Sequence, residues 1–273
     1  MAVAIVLPAR LASTRLPNKL LLNRTGRTLL EHTVAQALAA RKAYPRLFRT
    51  VLVACDDAQL LEIAQRAGAQ ARMTRTDHSS GTERIAEAAA ALEEEIVVNL
   101  QADEPEMALE SIRQVATLLT EGPKDVHMAT LATPIFDEAK WRKPNVVKAV
   151  IGAEGRALYF SRAPIPFPRD ENDAGVVWNM DGRRVYGLHH LGLYAYRREF
   201  LLRIPSLPPS RLEKLEKLEQ LRVLEAGYGI RVGIATAHPP GIDTPEEYDR
   251  FVERWQARNR AAADETSRGQ GER

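Results

Sequence analysis

The sequence predicts an α/β fold in which a mostly parallel, doubly wound sheet carries helices on both faces. Three stretches, 3–7, 50–54 and 96–100, are nearly continuous apolar runs, as is typical of strands buried on both faces. Helical segments alternate with these runs, which is the pattern of parallel strands joined by crossover helices. The most polar loops follow residues 7, 73 and 100. Because ligands bind at the carboxyl ends of the strands in such sheets, we expect one crevice there.

The helices of the first half have recognisable starts or stops. Thr28 and Glu31 form the capping box of a helix that carries its apolar residues on one face. A pair of aspartates precedes a second helix over 60–67, and Gly68 ends it. We then expect a short strand over 71–73, a polar loop over 74–82 and an alanine-rich helix over 83–95.

The second half of the chain is less regular. Ser210 and Glu213 form a capping box that begins one long helix over 210–226, and its leucines at 212, 215, 218 and 221 are expected to face the core. Thr244 and Pro245 mark the start of the last helix. We also expect a helix over 109–119, strands over 128–132, 146–151, 157–160, 190–196 and 230–235, and a long irregular segment over 164–187.

Composition narrows the possible functions. The 273 residues have a net charge of only +2, with 38 basic and 36 acidic side chains, so a nucleic-acid ligand is not expected. Cys55 is the single cysteine, which excludes a disulfide within the chain and is typical of a reducing compartment. The sequence contains no apolar run of transmembrane length. We therefore expect a cytoplasmic protein without integral membrane contact.

A basic loop follows the first strand. Residues 8–19 contain Arg10, Arg15 and Lys19 among small residues and prolines. Small side chains let backbone N–H groups approach phosphate oxygens, and arginine and lysine neutralise their charge. The loop is neither a Walker A sequence nor a G-x-G-x-x-G turn. It is interpreted as a polyanion site of another architecture, with a solvated basic loop as the alternative.

Two aspartates are candidate ligands for a divalent cation. Asp103 follows the strand at 96–100, and Asp243 immediately precedes the last helix. Mg²⁺ usually binds through one or two carboxylates together with substrate phosphates. Each residue also has a structural alternative, since Asp103 could form an Asx-type turn and Asp243 could complement the helix dipole. The pair together with the basic loop favours metal-assisted phosphoryl chemistry.

Several long motifs resemble those of one family, the 3-deoxy-manno-octulosonate (Kdo) cytidylyltransferases, also called CMP-Kdo synthetases. P-A-R-L-A-S-T-R-L-P-N-K at 8–19 resembles their signature loop, although Asn18 stands where glycine is more common. Q-A-D-E-P at 101–105 is similar to their Q-G-D-E-P, with Ala102 in place of glycine. The resemblance extends to M-T-R-T-D-H-S-S-G-T-E-R at 73–84, L-Y-F-S-R-A-P-I-P at 158–166, H-L-G-L-Y at 190–194, L-E-Q-L-R at 218–222 and G-I-D-T-P-E at 241–246.

The resemblance implies a fold and an activity. The fold is a sheet of the nucleotide-diphospho-sugar transferase type with a smaller α+β lobe that forms the contact of a homodimer. The activity is transfer of CMP from CTP to the anomeric hydroxyl of Kdo, with Mg²⁺ as cofactor, for lipopolysaccharide synthesis. We expect one domain over 1–261, with a nucleotide-binding half over 1–132, a sugar-binding and dimer lobe over 133–235 and a closing segment over 236–261, and a disordered tail over 262–273.

The resemblance also implies roles for individual residues. The catalytic set is Lys19, Arg10, Asp103 and Asp243, of which the two aspartates hold the metal. CTP contacts are expected from Arg15, Ser13, Arg75, Ser80 and Gly81. Contacts to the sugar are expected from Gln101, Arg162, His190, Tyr194, Glu219 and Gln220, with Arg162 on its carboxylate.

Two alternatives to this function stay open on the sequence alone. One is a cytidylyltransferase for another acidic sugar, such as 8-amino-Kdo or a sialic acid. The other is a non-catalytic nucleotide-binding relative, for which the alanine at position 102 is the hint. If that position required a positive φ, alanine would strain the loop by roughly 1 kcal/mol or more.

Overall fold

A twisted sheet organises the computed structural model, which describes residues 1–169, 179–180, 182–236 and 241–270. Within these residues the sheet has nine strands, in the order β11-β5-β10-β4-β1-β2-β3, with β6 and β7 continuing from β10. The strands are β1 (Val3–Ala9), β2 (Phe48–Cys55), β3 (Gln70–Met73), β4 (Ile96–Asn99), β5 (Val126–Ile135), β6 (Lys148–Ile151), β7 (Ala157–Ser161), β10 (Gly187–Arg197) and β11 (Gly229–Ile234), and a separate two-stranded pair comprises β8 (Asn179–Met180) and β9 (Arg183–Arg184).

The sheet is parallel where the first half of the chain builds it. Strand β1 pairs in parallel with β2 and β4, β2 pairs in parallel with β3, and β11 pairs in parallel with β5. Strand β10 runs antiparallel to β4, β5 and β6, and β6 and β7 also pair antiparallel. The predicted mostly parallel α/β sheet is confirmed.

Helices cover both faces of the sheet. They are α1 (Leu29–Ala43), α2 (Ala58–Arg66), α3 (Gly81–Ala89), α4 (Leu109–Thr120), α5 (Glu138–Trp141), α6 (Arg198–Arg203), α7 (Arg211–Glu216), α8 (Gln220–Glu225) and α9 (Pro245–Gln270). Alternate residues of β1 enter two separate apolar clusters, because successive side chains of a strand point to opposite faces. One cluster includes residues of α1, α2, α4 and α9, and the other includes residues of α3, α6 and α8. The predicted double winding is thereby confirmed.

The predicted helix caps are present. Thr28 and Glu31 form a capping box at the start of α1, and Ser210 and Glu213 form another at the start of α7. At the start of α9, the N–H of Glu247 donates to Oγ1 of Thr244 at 3.3 Å, and Oε2 of Glu247 accepts from the N–H of Thr244 at 3.0 Å. These caps depend on residues three apart, so the sequence alone identifies them.

The single helix expected over 210–226 is wrong, because the chain breaks into α7 and α8 at Lys217. Lys217 adopts a left-handed conformation with φ 54°. Beyond this break Leu218 and Leu221 are buried, whereas Leu215 is 80% exposed. A spacing of three residues drifts around a helix of about 3.6 residues per turn, so four leucines at that spacing do not share one face. The expected core-facing stripe is therefore also wrong in part.

Two helix ends differ from the prediction. The helix expected over 83–95 ends at Ala89, because the chain turns there and the N–H of Leu92 donates to the carbonyl of Ala89 at 3.1 Å. The last helix spans Pro245–Gln270 and so runs past residue 261, where the folded domain was expected to end. The disordered tail expected over 262–273 stays a prediction. Alanine and glutamate in that segment favour helix. Much of the irregular segment expected over 164–187, including 170–178, lies outside the described residues.

No helix in the described part of the chain combines the length and apolar character that a membrane crossing requires.

Candidate active site

The loops that follow β1, β3 and β4 converge on one crevice of about 410 Å³. This volume lies within the usual range for a small-molecule site. The first loop contributes Arg10, Arg15 and Lys19, the second contributes residues 78–81, and the third contributes residues 101–104. Asp243 and Glu219 close it from the second half of the chain. The expected crevice at the carboxyl ends of the parallel strands is present.

The ammonium group of Lys19 lies between the two candidate metal ligands. Its Nζ donates to Oδ2 of Asp103 in a short contact, to Oδ1 of Asp243 at 2.8 Å and to the carbonyl of Ile242 at 3.3 Å. Burial alone would lower the pKa of Lys19, but the charge and hydrogen bond of Asp103, followed by those of Asp243, outweigh it and raise that pKa. The structure thus brings together two carboxylates that are distant in sequence around one positive charge.

Backbone and cap interactions position the two aspartates. The N–H of Ile242 donates to the backbone carbonyl of Asp103 at 3.0 Å, which joins the two loops directly. Oε2 of Glu247, in the first turn of α9, accepts from the N–H of Asp243 at 2.8 Å. Oγ1 of Thr33 in α1 donates to the carbonyl of Ala102 at 2.8 Å. Asp103 and Asp243 are therefore positioned by main-chain contacts that a change of either side chain would leave in place.

The two departures from the family motifs are both accommodated. Asn18 has φ 51° and precedes the short 3₁₀ turn that carries Lys19. Asparagine tolerates this left-handed conformation better than most residues that have a Cβ. Ala102 does not have a positive φ and is buried. The strain considered for alanine at position 102 is therefore absent.

The donor set of the crevice fits a hard divalent cation. Carboxylate oxygens are the ligands that Mg²⁺ prefers, and one or two of them suffice when substrate phosphates complete the shell. The bridging ammonium shows that this pair of carboxylates already stabilises a positive charge. In the described part of the chain no group of three or more His, Cys, Asp or Glu side chains is arranged to hold a metal. Phosphate oxygens or water would therefore have to supply the remaining ligands.

The predicted nucleotide ligands are only partly brought together. Arg10, Arg15, Ser80 and Gly81 line the crevice, and Arg15 also pairs with Oδ2 of Asp243 at 2.8 Å. Ser80 caps α3, whose N-terminal N–H groups begin at Gly81 and suit an anion. Ser13 and Arg75 are not among the described residues that line the crevice. Arg75 is 69% exposed and pairs instead with the carboxylates of Asp77 and Glu87.

Most of the predicted sugar ligands lie in or beside the crevice, at increasing depth in the protein. Gln101 and Glu219 line it, and Glu219 accepts from Oγ1 of Thr82 at 2.9 Å. Glu219 and Gln220 also line a second cavity of about 200 Å³. The hydroxyl of Tyr194 lies 3.5 Å from Oε1 of Gln220. His190 is deeper and buried, with its Nε2 3.1 Å from Oγ1 of Thr130.

Arg162 does not lie in the crevice, contrary to the expectation that it binds a sugar carboxylate there. Its Nε donates to the carbonyl of Glu216 at 2.7 Å, and its Nη2 donates to the carbonyl of Lys217 at 3.3 Å. Its Nη1 donates to the carbonyl of Pro144 at 3.2 Å. The guanidinium group therefore satisfies the C-terminal carbonyls of α7, immediately before the break that leads to Glu219.

Glu104 is a site residue that sequence reasoning missed. Its side chain lines the crevice next to Asp103, and its buried Oε2 has no hydrogen-bond partner in the described structure. A Cβ placed on Gly192 would lie 3.4 Å from Oε1 of Glu104. Burial, followed by the charges of Asp103 and Asp243, raises the pKa of Glu104 to about 8. Adjacency to Asp103 was the only signal in the sequence.

This shift predicts a pH-dependent stability of the metal-free protein. The folded protein holds a proton on Glu104 up to about pH 8, whereas an unfolded carboxyl releases it near 4.5. Glu104 therefore stabilises the fold fully at acidic pH, and this contribution is lost as the pH rises from about 5 to 8. We expect the free energy of unfolding in EDTA to fall by a few kcal/mol, on the order given by the linkage relation, over that window.

Glu104→Gln is the matched variant, because glutamine has the same shape and cannot ionise. Denaturant titrations in EDTA at several pH values should show a smaller fall for Glu104→Gln than for the wild-type protein. Equal slopes for the two proteins would contradict the assignment.

Comparison with known proteins identifies the family. The model of the cytidylyltransferase family matches residues 4–232. A 3-deoxy-manno-octulosonate cytidylyltransferase from Rhodopirellula baltica is 45% identical over 93% of this chain and 98% of its own length. The chain belongs to the 3-deoxy-manno-octulosonate cytidylyltransferase family. A relative of the same name from Geobacter sulfurreducens is 41% identical over 93% of this chain and 99% of its own length.

Solved structures agree with membership in the 3-deoxy-manno-octulosonate cytidylyltransferase family. A CMP:2-keto-3-deoxy-manno-octonic acid synthetase complexed with CTP matches with a TM-score of 0.84 at 36% identity, covering 94% of this chain and 100% of that one. A 4-diphosphocytidyl-2C-methyl-D-erythritol synthase from Anaerococcus prevotii matches with a TM-score of 0.58 at 13% identity, covering 93% and 98%. The latter shares the fold alone. As a member of the 3-deoxy-manno-octulosonate cytidylyltransferase family, the chain is a nucleotidyltransferase.

Proposed function

We propose that this protein transfers CMP from CTP to the anomeric hydroxyl of Kdo and releases pyrophosphate. The observation that carries the proposal is the convergence of Asp103 and Asp243 on the ammonium of Lys19, in a crevice that is also lined by Arg10 and Arg15 of the same basic loop. Family membership supports the choice of nucleotide and sugar, since the relatives are named for that reaction. The reaction forms a bond from the hydroxyl oxygen to the α-phosphorus and breaks the bond from the α-phosphorus to the departing pyrophosphate.

Asp103 and Asp243 are the residues that would hold Mg²⁺. A bound Mg²⁺ supplies charge neutralisation at phosphate oxygens and makes a nearby hydroxyl more acidic. Hydrogen bonds to the main chain of residues 102, 103 and 243 fix the backbone that carries the two carboxylates. Such preorganised charge is the main source of catalysis when a reaction has no covalent enzyme intermediate.

Cations and backbone donors of the crevice would hold the triphosphate. Lys19, Arg10 and Arg15 project into it from the first loop, and Gly81 begins α3 on the other side. A point charge, planar guanidinium groups and a helix N-terminus bind phosphate oxygens with different geometries. Ser13 and Arg75 lie outside the crevice, so we propose no direct role for them.

The sugar would bind on the side of Glu219. Gln101 and Glu219 line the crevice. Glu219 and Gln220 both line the neighbouring cavity. These side chains offer hydrogen bonds to the many hydroxyl groups of an acidic octulosonate. The hydroxyl of Tyr194 lies 3.5 Å from Oε1 of Gln220 and can help to orient that side chain.

Three further properties are part of the proposal. Lipopolysaccharide synthesis is the process that uses the product, and the cytoplasm is the compartment. The proposed homodimer is supported by the outer strand β7, which pairs only with β6 in the described sheet and exposes 63% of Leu158. Phe167 is 82% exposed shortly after it in the chain. An open strand edge is a template on which a second chain can pair, and exposed apolar side chains beside it add to such a contact.

Pyrophosphate release tests the function. On mixing the protein with CTP, Mg²⁺ and Kdo, we expect stoichiometric pyrophosphate and CMP-Kdo, and no release without Kdo or in EDTA. Release from CTP alone would indicate a hydrolase, and no release at all would indicate a non-catalytic relative. Comparing kcat/KM for Kdo, 8-amino-Kdo and a sialic acid determines the acceptor.

Arg162 is predicted to act on sugar binding through the turn between α7 and α8. Arg162→Ala removes the donors to the carbonyls of Glu216 and Lys217, so the turn that leads to Glu219 loosens. We expect the KM for the sugar to rise by roughly tenfold, the scale of a lost charged hydrogen bond, while the KM for CTP changes little. Steady-state kinetics with each substrate varied in turn measures both values.

Arg142→Ala is the control for that experiment, because Arg142 pairs with Glu138 on the surface. It should leave both constants unchanged. A rise confined to the KM for CTP would place Arg162 on the nucleotide side and contradict the prediction.

A further inference from the structure

The side chain of Lys19 occupies the position at which the proposed metal would bind. Its Nζ donates to a carboxylate oxygen of Asp103, to one of Asp243 and to the backbone carbonyl of Ile242. The side chain is only 14% exposed. Three protein oxygen atoms thus contact this largely buried ammonium in place of water. Asp103 and Asp243 therefore form a cation site, and the cation that fills it is the side chain of Lys19.

The same ammonium is needed elsewhere when nucleotide is bound. Lys19 lines the crevice together with Arg10 and Gly81, where the triphosphate would lie. A lysine has a flexible stem of four carbons, so its charge can move by several ångströms without a change in the backbone. A divalent cation between the two carboxylates would repel the ammonium, and phosphate oxygens would attract it.

We propose that Lys19 fills the divalent-cation site in the nucleotide-free protein and exchanges to the triphosphate when metal and CTP bind together. This inference rests on the proposed function, because it takes Asp103 and Asp243 as the metal ligands. Arg15 is a weaker competitor, since it contacts only Asp243 and is 66% exposed.

The exchange has a consequence for the order of binding. Metal alone must displace the ammonium from its two carboxylate partners, whereas metal with CTP provides the phosphates as new partners. Metal and CTP therefore increase each other's affinity, and the effect is reciprocal because the two bindings share one free-energy cycle. Without the lysine, metal alone should bind more tightly and the mutual increase should become smaller.

Mn²⁺ binding measured by electron paramagnetic resonance tests the exchange without any turnover. Mn²⁺ takes the same oxygen ligands as Mg²⁺, and CTP is not consumed while the sugar is absent. In Lys19→Met the stem is retained and the charge is lost. We expect Lys19→Met to bind Mn²⁺ alone roughly tenfold or more tightly than the wild-type protein, the scale of removing competing charged hydrogen bonds. We expect CTP to raise its Mn²⁺ affinity by a smaller factor than in the wild-type protein.

Arg10→Met is the matched control for a general change of charge. Arg10 lines the same crevice but, within the described residues, forms no ion pair with either aspartate. The Arg10→Met variant should change the affinity for Mn²⁺ alone by less than about threefold, the scale of a screened surface charge. Lys19→Met without tighter Mn²⁺ binding, or Arg10→Met with an equal gain, would overturn the exchange. A wild-type protein that binds no Mn²⁺ even with CTP would instead refute the metal site, and the exchange with it.

Discussion

Replacing Asp103 with asparagine is expected to leave the fold intact and to lower turnover by roughly two orders of magnitude or more, the scale of losing an electrostatic stabiliser. The fold should persist because the contact with Ile242 uses the backbone carbonyl of residue 103. Lys19 would also keep its hydrogen bond to Asp243. What the variant loses is one of the two negative charges that hold the cation. Turnover at a buffered Mg²⁺ concentration, together with a thermal melt, measures both effects.

Asp125→Asn provides the comparison, because Asp125 is an aspartate on the surface that pairs with Arg156. It should retain near-normal turnover. Asp243→Asn should resemble Asp103→Asn, and the double variant should lose little more than either single variant, since residues that act as a unit are not additive. Near-normal turnover of Asp103→Asn would remove that residue from the mechanism.

Lys19→Met is expected to lower kcat/KM for CTP by about two to three orders of magnitude, the range for loss of a donor aimed at developing charge. The loss should occur although we expect the variant to bind metal alone more tightly, because in the proposed exchange the ammonium moves to the phosphates of the reacting complex. Steady-state kinetics at saturating sugar and Mg²⁺ gives the value. Raising the Mg²⁺ concentration should not restore activity.

Lys42→Met is the control for Lys19→Met, because Lys42 is exposed in the last turn of α1 and lies outside the crevice. It should behave as the wild-type protein does. If Lys19→Met kept its kcat/KM and only lost stability, Lys19 would be a structural counter-ion of the two aspartates and not part of catalysis.

The parts of the fold that the sequence predicted are those set by local signals. The apolar runs of β1, β2 and β4 and the caps of α1, α7 and α9 depend on residues within a few positions of each other. Parallel strands place their carboxyl ends at one edge, which is why the sequence could predict the crevice between the loops that follow β1, β3 and β4.

Three features could not be predicted because they depend on distant partners. The break between α7 and α8 sits where Arg162 satisfies carbonyls of α7, an interaction between residues more than fifty apart. Arg162 itself was expected in the crevice because its residue type suits a carboxylate, yet the structure gives its donors to the backbone. Glu104 has an ordinary sequence context, and only its burial beside Asp103 makes it unusual.

The motifs predicted the positions of some site residues better than those of others. Lys19, Asp103 and Asp243 are joined by direct contacts that the motifs alone could not show. Ser13 and Arg75 belong to the same motifs as residues that do line the crevice, and still lie outside it. A motif therefore predicts which loop takes part, while the side chains that face the ligand depend on the path of the backbone.

The most direct test of the metal site is a crystal soaked with CTP and Mn²⁺, measured at a wavelength where manganese scatters anomalously. We expect an anomalous peak within bonding distance of carboxylate oxygens of both Asp103 and Asp243, with the ammonium of Lys19 moved onto the triphosphate. A triphosphate bound in the crevice with no peak between the two aspartates, and with Lys19 still joining them, would contradict it.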